Sequence, residues 1–372
     1  MSEKTERALR LLTGAESRLR RQRGLVGLDG FVDQILRVVD KRASDGTATY
    51  ISTIPQLAAR VQGGAGTSNK FELCVQQVKL GGNGPIMANA MAAFGLPLTC
   101  IGNLGWPEPH AVFQPMKKNC ELITVGEPGC TDALEFDDGK IMLSRQEASG
   151  MVTWETMQRV IGRQKLIKLF QSATFVALDN WSALPHMAGI WMELQGRVCP
   201  RLSPLSSGAR RKIFFDLADP EFRLPKDTAR ALKLIGRFQR WYDTTLGLNQ
   251  KEAGEICEVL RLHLRGEDRL FARAAAMAIR EKLGVDGVVV HANAFAAAAS
   301  AGQNPMLDGP FVEKPLISTG AGDHFNAGYS LGLILEGDLD QCLQLGVATS
   351  GYYVRTARSP SLRDLRGFLN KI

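Results

Sequence analysis

Ser318-Thr319-Gly320-Ala321-Gly322-Asp323-His324-Phe325-Asn326-Ala327-Gly328 is the stretch on which the reading of this chain turns. An apolar run, Val312–Ser318, leads into it and reads as a strand. A helix over Asp323–Glu336 follows, with Phe325, Tyr329, Leu333 and Ile334 on its apolar side and Gly337 at its end. Small residues where a helix begins leave backbone N–H groups free, and the helix dipole adds positive potential, so Gly320, Ala321 and Gly322 form a place suited to phosphate. Asp323 in the first turn stands beside whatever those amides hold. An anion hole next to a carboxylate base is what phosphoryl transfer to a hydroxyl requires. The plainer reading is a helix start that merely carries glycines and a capping aspartate.

Working outward, the 372 residues are ordinary for a globular chain, with 45% hydrophobic and 22% charged residues, which excludes a disordered or fibrous protein. The formal charge is +7, and part of it sits in Arg18, Arg20, Arg21 and Arg23. That mild positive field suits phosphorylated ligands. Aromatics make up only 7%, with no basic stripe interleaved with them, so no nucleic-acid partner is expected. No apolar run approaches a membrane span, and the start of the chain lacks the apolar core of a signal peptide; residues 1–23 read as a basic amphipathic helix packed on the domain. Seven cysteines without a C-x-x-C pair read as reduced core residues of a cytoplasmic protein. The histidines have no metal-ligand spacing, and no Walker-A lysine or G-x-S-x-G elbow is present.

Short β-rich runs (Leu25–Leu28, Leu98–Ile101, Thr174–Leu178, Lys212–Asp216, Tyr242–Leu246, Gly287–Val290) alternate with helical stretches (Pro85–Phe94, Trp154–Phe170, Arg269–Leu283). This alternation predicts an α/β fold, a doubly wound and mostly parallel sheet flanked by helices, with ligands beyond the carboxyl ends of the strands. Two regions depart from it. Ala133–Phe136 and Ile141–Ser144 flank the turn Asp137-Asp138-Gly139-Lys140, and Ile35–Val39, Tyr50–Thr53 and Glu72–Lys79 are extended around a helical piece, Pro55–Val61. They predict a small inserted β-sheet lid, approximately 33–80 and 123–150, over a single domain spanning 1–372.

Gly320-Ala321-Gly322-Asp323 in this setting resembles the signature of the ribokinase-like, PfkB-type carbohydrate kinases, and other segments agree in order. Leu80-Gly81-Gly82-Asn83-Gly84-Pro85, followed by a small-residue helix, is similar to the family's sugar-binding turn. Leu248-Asn249-Gln250-Lys251-Glu252-Ala253 is similar to its Asn-x-x-Glu element. The resemblance runs from about Leu25 to about Thr356. It implies transfer of the γ-phosphate of ATP to a hydroxyl of a sugar or sugar-like polyol. Asp323 would be the base, with the anion hole at Gly320, Ala321 and Gly322. Asp29, Asp33, Gly82 and Asn83 would bind the acceptor, with Asp33 the stronger ligand. Asn249, Glu252 and Thr319 would face the nucleotide, and Glu252 its Mg2+ shell. Asn249 with Glu252 is also a capping box. In an extended segment Asp29 and Asp33 would share a face. Pairing of two copies through the lid is a further implication.

Departures from the family pattern narrow what carries over. Two residues before Thr319 relatives tend to place an aspartate associated with a monovalent cation; here it is Ile317, so the implied potassium site lacks its carboxylate. The nucleotide loop near Val290-His291-Ala292-Asn293-Ala294-Phe295 lacks its glycines, and Ile86 stands nearest the position of an expected asparagine. His324 beside the base reads as a packing residue. Asp216-Leu217-Ala218-Asp219-Pro220-Glu221 suits either a magnesium or phosphate contact or a simple turn. The rival readings are a nucleoside or vitamin-precursor kinase on the same scaffold, with Phe31 as its stacking residue, and a sugar-binding sensor without catalysis.

Overall fold

The computed structural model describes residues 3–372. Its strands are β1 (Gly24–Leu28), β2 (Phe31–Arg42), β3 (Ala48–Tyr50), β4 (Leu73–Gly81), β5 (Leu98–Gly102), β6 (Cys120–Thr124), β7 (Gly129–Phe136), β8 (Gly139–Arg145), β9 (Phe175–Leu178), β10 (Arg211–Asp216), β11 (Tyr242–Asn249), β12 (Gly287–His291), β13 (Phe295–Ala299) and β14 (Met306–Asp308). Among the described residues they form two sheets. The larger runs β14-β13-β12-β11-β10-β9-β1-β5-β6. It is parallel from β12 to β6, with β13 and β14 antiparallel at one edge.

The parallel strands are apolar along nearly their whole length because both faces are covered. Alternate residues enter opposite cores. Val176, Val288 and Val290 join the core built by the helices Trp154–Ile161, Arg163–Ser172, Pro225–Phe238, Gln250–Leu260 and Arg269–Leu283. Ala177 and Val289 join the core built by Glu3–Leu12, Asn83–Ala93, Ala321–Ile334, Leu339–Thr356 and Leu362–Leu369. β1, an interior strand between β9 and β5, hands the chain directly to β2, so the second sheet rises from the carboxyl edge of the first.

In that second sheet β2 is the spine. It pairs antiparallel with β4 and β3 and parallel with β7, which forms a hairpin with β8. The helix Ile54–Gly63 contributes Leu57 to a small core of its own, with Leu36, Val38, Ile51, Leu134 and Phe136.

The fold class and the inserted sheet agree with the expectation, and several segments differ. Val312–Ser318 is not a strand: Pro310 and Pro315 interrupt any ladder, and the segment runs irregularly, tied by the Leu316 N–H to the carbonyl of Val354. The sheet ends instead in β13 and β14, and the alanine-rich sequence of β13 carries little strand propensity. Trp154–Phe170 is two helices divided at Gly162, and the N-terminal segment is two helices, Glu3–Leu12 and Ala15–Leu19, divided at Gly14.

Candidate active site

Helix Ala321–Ile334 starts where the apolar core ends, at the carboxyl edge of the large sheet. Gly320 is its N-cap at φ 89°, a left-handed conformation that a side chain would strain. Four further contacts fix the turn. His324 Nδ1 lies 2.7 Å from the Gly320 carbonyl oxygen, and its Nε2 lies 2.9 Å from Ser359 Oγ. Its ring stacks on Tyr353 at 3.6 Å between centroids, and the Tyr353 hydroxyl donates to the Thr319 carbonyl at 2.9 Å. Burial holds the His324 pKa down at about 4, so the ring is a neutral brace for the turn, in keeping with a packing role.

Asp323, in the first turn, is 7% exposed. Burial chiefly, then the nearby Asp216 and Asp29, pushes its pKa well above the usual carboxylate range, while a hydrogen bond from the Asn83 side chain opposes the shift. Such a carboxylate is a stronger base than one in water.

On one side of Asp323 lie the residues expected to meet the acceptor. Asp33, on β2, is buried. Burial raises its pKa, while Lys79, Lys140 and a hydrogen bond from Thr131 restrain the rise. The chain approaches it so closely at Gly81 that a Cβ there would stand 2.1 Å from Asp33 Oδ1. Gly82 caps the helix Asn83–Ala93, which carries Asn83 towards Asp323.

Asp29 differs from expectation. It sits between β1 and β2 rather than on a strand, so it does not share a face with Asp33. Its carboxylate is fully buried, accepting from the Gly84 N–H at 2.9 Å and from Asn180 Nδ2 at 2.7 Å. It ties the 82–84 turn to the sheet. Phe31 is also buried, its ring filling the space beside Gly129, so the stacking residue of a nucleoside acceptor pocket is not available.

On the other side is a cavity of about 890 Å³, lined by Ala321, Gly322, Asn249, His291, Asn293, Pro310, Phe311 and Val354 among others. The 291–295 segment makes a tight hairpin from β12 to β13 without glycine, closed by the Ala292 N–H on the Phe295 carbonyl at 2.8 Å. Thr319 accepts from the ammonium of Lys140, and Ser318 does so at 3.2 Å.

Asn249 and Glu252 fulfil the capping box. The Asn249 side chain accepts from the Glu252 N–H, and Glu252 accepts from the Asn249 N–H at 2.8 Å. The second Glu252 oxygen accepts from the Asp219 N–H at 2.9 Å. Both oxygens of this buried carboxylate are therefore engaged by backbone, and burial with the nearby Asp216 raises its pKa to about 8. The two residues do not both face the nucleotide side. Asn249 borders the cavity, and Glu252 holds the 216–219 turn behind it.

Sequence reasoning passed over Lys79 and Lys140, which belong to the second sheet and carry no motif. It also passed over Asp179-Asn180, which follow β9 as Asp29 follows β1 and Asp216 ends β10. A polar pair just beyond a buried strand was the available signal.

A model of the prokaryotic ketohexokinase family matches residues 1–372. The chain belongs to that family. It is 28% identical to the ketohexokinase of Haloferax volcanii over 348 residues, 93% of this chain and 90% of that one. Its fold is that of phosphofructokinase-2 from Escherichia coli (TM-score 0.64, 16% identity, 94% of this chain and 99% of that one). It is equally that of Arabidopsis thaliana ribokinase complexed with ribose and ATP (TM-score 0.63, 15% identity, 94% and 98%). The chain is thus an ATP-dependent carbohydrate kinase of the ribokinase-like, PfkB-type group, a phosphotransferase acting on a sugar hydroxyl. Among the described residues no helix is long and apolar enough to cross a membrane, and all seven cysteines are unpaired.

Proposed function

We propose that the chain phosphorylates a ketohexose, with Asp323 as the base, Gly320, Ala321 and Gly322 as the anion hole, and Asp33 and Asn83 as acceptor ligands. The observation that carries this reading is the position of Asp323: a buried carboxylate in the first turn of a helix, between the Asp33–Asn83 cluster and a nucleotide-sized cavity. In the reaction Asp323 takes the proton of the sugar hydroxyl, the hydroxyl oxygen bonds to the γ-phosphorus, and the bridging oxygen leaves with ADP. The amides of 320–322 meet the charge that spreads over the phosphoryl oxygens.

Magnesium is read here as part of the MgATP substrate, which the phosphates and water can hold without a protein cage. Glu252 fits poorly as a direct ligand, because both its oxygens already accept backbone hydrogen bonds. Its part is to set Asn249 and the 216–219 turn. The same reading places the reaction in the cytoplasm, where ATP is available. It also pairs two copies through the apolar outer face of the second sheet, where Leu73, Val75, Val78 and Leu143 are exposed. Light scattering of the native chain against a Val75→Lys/Leu143→Lys variant tests that pairing.

The test of function is ADP release measured across ketohexoses, aldohexoses, pentoses, sugar acids and nucleosides, with Asp323→Asn as blank. Fastest turnover on a ketohexose supports the reading. Preference for another acceptor class, or near-normal turnover in the blank, overturns it.

A further inference from the structure

The anion hole at 320–322 offers only dipoles, while the group to be transferred carries full negative charge. Two lysines stand beside it, and both come from the second sheet rather than from the body of the domain. Lys140 lies at the start of β8 and donates to the hydroxyls of Ser318 and Thr319, the two residues that lead into Gly320. Lys79, on β4, faces Asp33 across the ladder and is half-buried, with Asp33, Glu135 and Asp323 as its charged neighbours. Glu135 is the ladder partner of Lys140, yet neither ammonium closes an ion pair among the described residues. Partial burial and the proximity of Lys79 both work against the charge on Lys140. Two ammonium groups that repel each other beside the turn, neither closed by an ion pair, are best relieved by an anion. The adjoining main-chain amides already mark where a phosphate would sit.

We propose that Lys140 is a catalytic residue that bonds the terminal phosphate of ATP, with Lys79 as the companion cation on the acceptor side. Resting on the kinase reading above, this makes the second sheet part of the catalytic apparatus. Lys140 waits on the Ser318 and Thr319 hydroxyls and transfers its hydrogen bonds to the phosphoryl oxygens when the nucleotide arrives. Because the cation travels with the sheet, transfer is efficient only when the sheet covers the acceptor, which keeps water from taking the acceptor's place.

The experiment compares Lys140→Arg, Lys140→Gln and Lys140→Met, using whichever acceptor the native chain turns over fastest in the screen above. The choice of acceptor reports on the ketohexose assignment, and the variant ratios report on Lys140, so the two can fail separately. Loss of a cation that meets transition-state charge predicts kcat down about 100-fold in Lys140→Gln and Lys140→Met. The KM for sugar and the melting temperature stay near native, and Lys140→Arg recovers at least about tenfold of the loss. Native-like kcat in Lys140→Gln overturns the proposal, since glutamine keeps a donor for the two hydroxyls without the charge. Equal failure of all three variants with lowered melting temperature and weakened sugar binding also overturns it, because that pattern belongs to a residue that only docks the sheet.

Discussion

The carboxylate of Asp29 and the backbone N–H of Gly84 are joined by a buried hydrogen bond of 2.9 Å, which fastens the first turn of helix Asn83–Ala93 to the end of β1. Asn180 donates to its other oxygen, and the Asp29 side chain is fully buried. Asp33, four residues later, keeps its carboxyl beside Gly81, Lys79 and Thr131. The two aspartates should therefore separate cleanly on substitution. Asp29→Ala leaves the Gly84 N–H orphaned and should cost about 1–3 kcal/mol of stability in denaturant titration. Asp33→Ala should leave stability nearly unchanged and raise the KM for sugar by at least about tenfold, the loss of one charge-assisted hydrogen bond.

This distinction shows where the sequence was legible. The βαβ alternation and the Gly320–Asp323 signature are local patterns, and both survive in the structure because each depends on periodicity or on one turn. The partners of Asp29 are Gly84 and Asn180, 55 and 151 residues away, and no local pattern reports them. Lys79 and Lys140 escaped notice for the same reason: their positions depend on the pairing of β2 with β4 and of β7 with β8. Phe295–Ala299 was missed because sheet membership there comes from pairing with β12, against the propensity of alanine.

Asp323 gives a pH dependence with a definite sign. Its carboxyl is held well above the ordinary range by burial and by Asp216 and Asp29, so it stays protonated, and unable to act as base, at pH values where a surface aspartate is ionised. Turnover should rise with pH through this shifted pKa and fall away on its acid side, well above pH 4. Asp216→Asn removes one of the raising charges and should move the acid limb of kcat to lower pH. A limb that stays in place in that variant, or a native limb near the usual carboxylate value, contradicts the assignment of the base.

Glu252 should behave as a structural carboxylate whose effect reaches the nucleotide through Asn249. Glu252→Ala orphans the buried N–H groups of Asp219 and Asn249, which should cost about 1–3 kcal/mol for each donor left unpaired. Because Asn249 borders the cavity, the KM for ATP should rise while the KM for sugar holds. Glu252→Gln retains one acceptor oxygen and should fall between the two. Abolished activity with full stability and unchanged ATP binding in Glu252→Gln would point instead to a direct role for the charge.

The same acidic edge should make the protein less stable as pH rises. Asp179 is 1% exposed, neither of its carboxylate oxygens has a hydrogen-bond partner, and burial with Asp216, Asp29 and Asp323 nearby pushes its pKa well above 3.8. Below that ordinary value the folded and unfolded forms are both protonated, and the contribution to stability is fully present. As pH rises the unfolded chain gives up its proton first, so stability is lost until the folded pKa is passed. Asp29 and Asp216, each raised to about 6, and Glu252, raised to about 8, act in the same direction within the window from about 4 to about 8. The opposing ion pair of Glu16 with Arg366 is lost only as pH falls towards about 2, outside that window. Asp179→Asn keeps the shape and removes the charge. Its melting temperature should match the native chain near pH 4 and exceed it by a widening margin towards pH 8, as thermal denaturation across that range would record. A margin that stays flat with pH would mean that Asp179 is not the group that titrates.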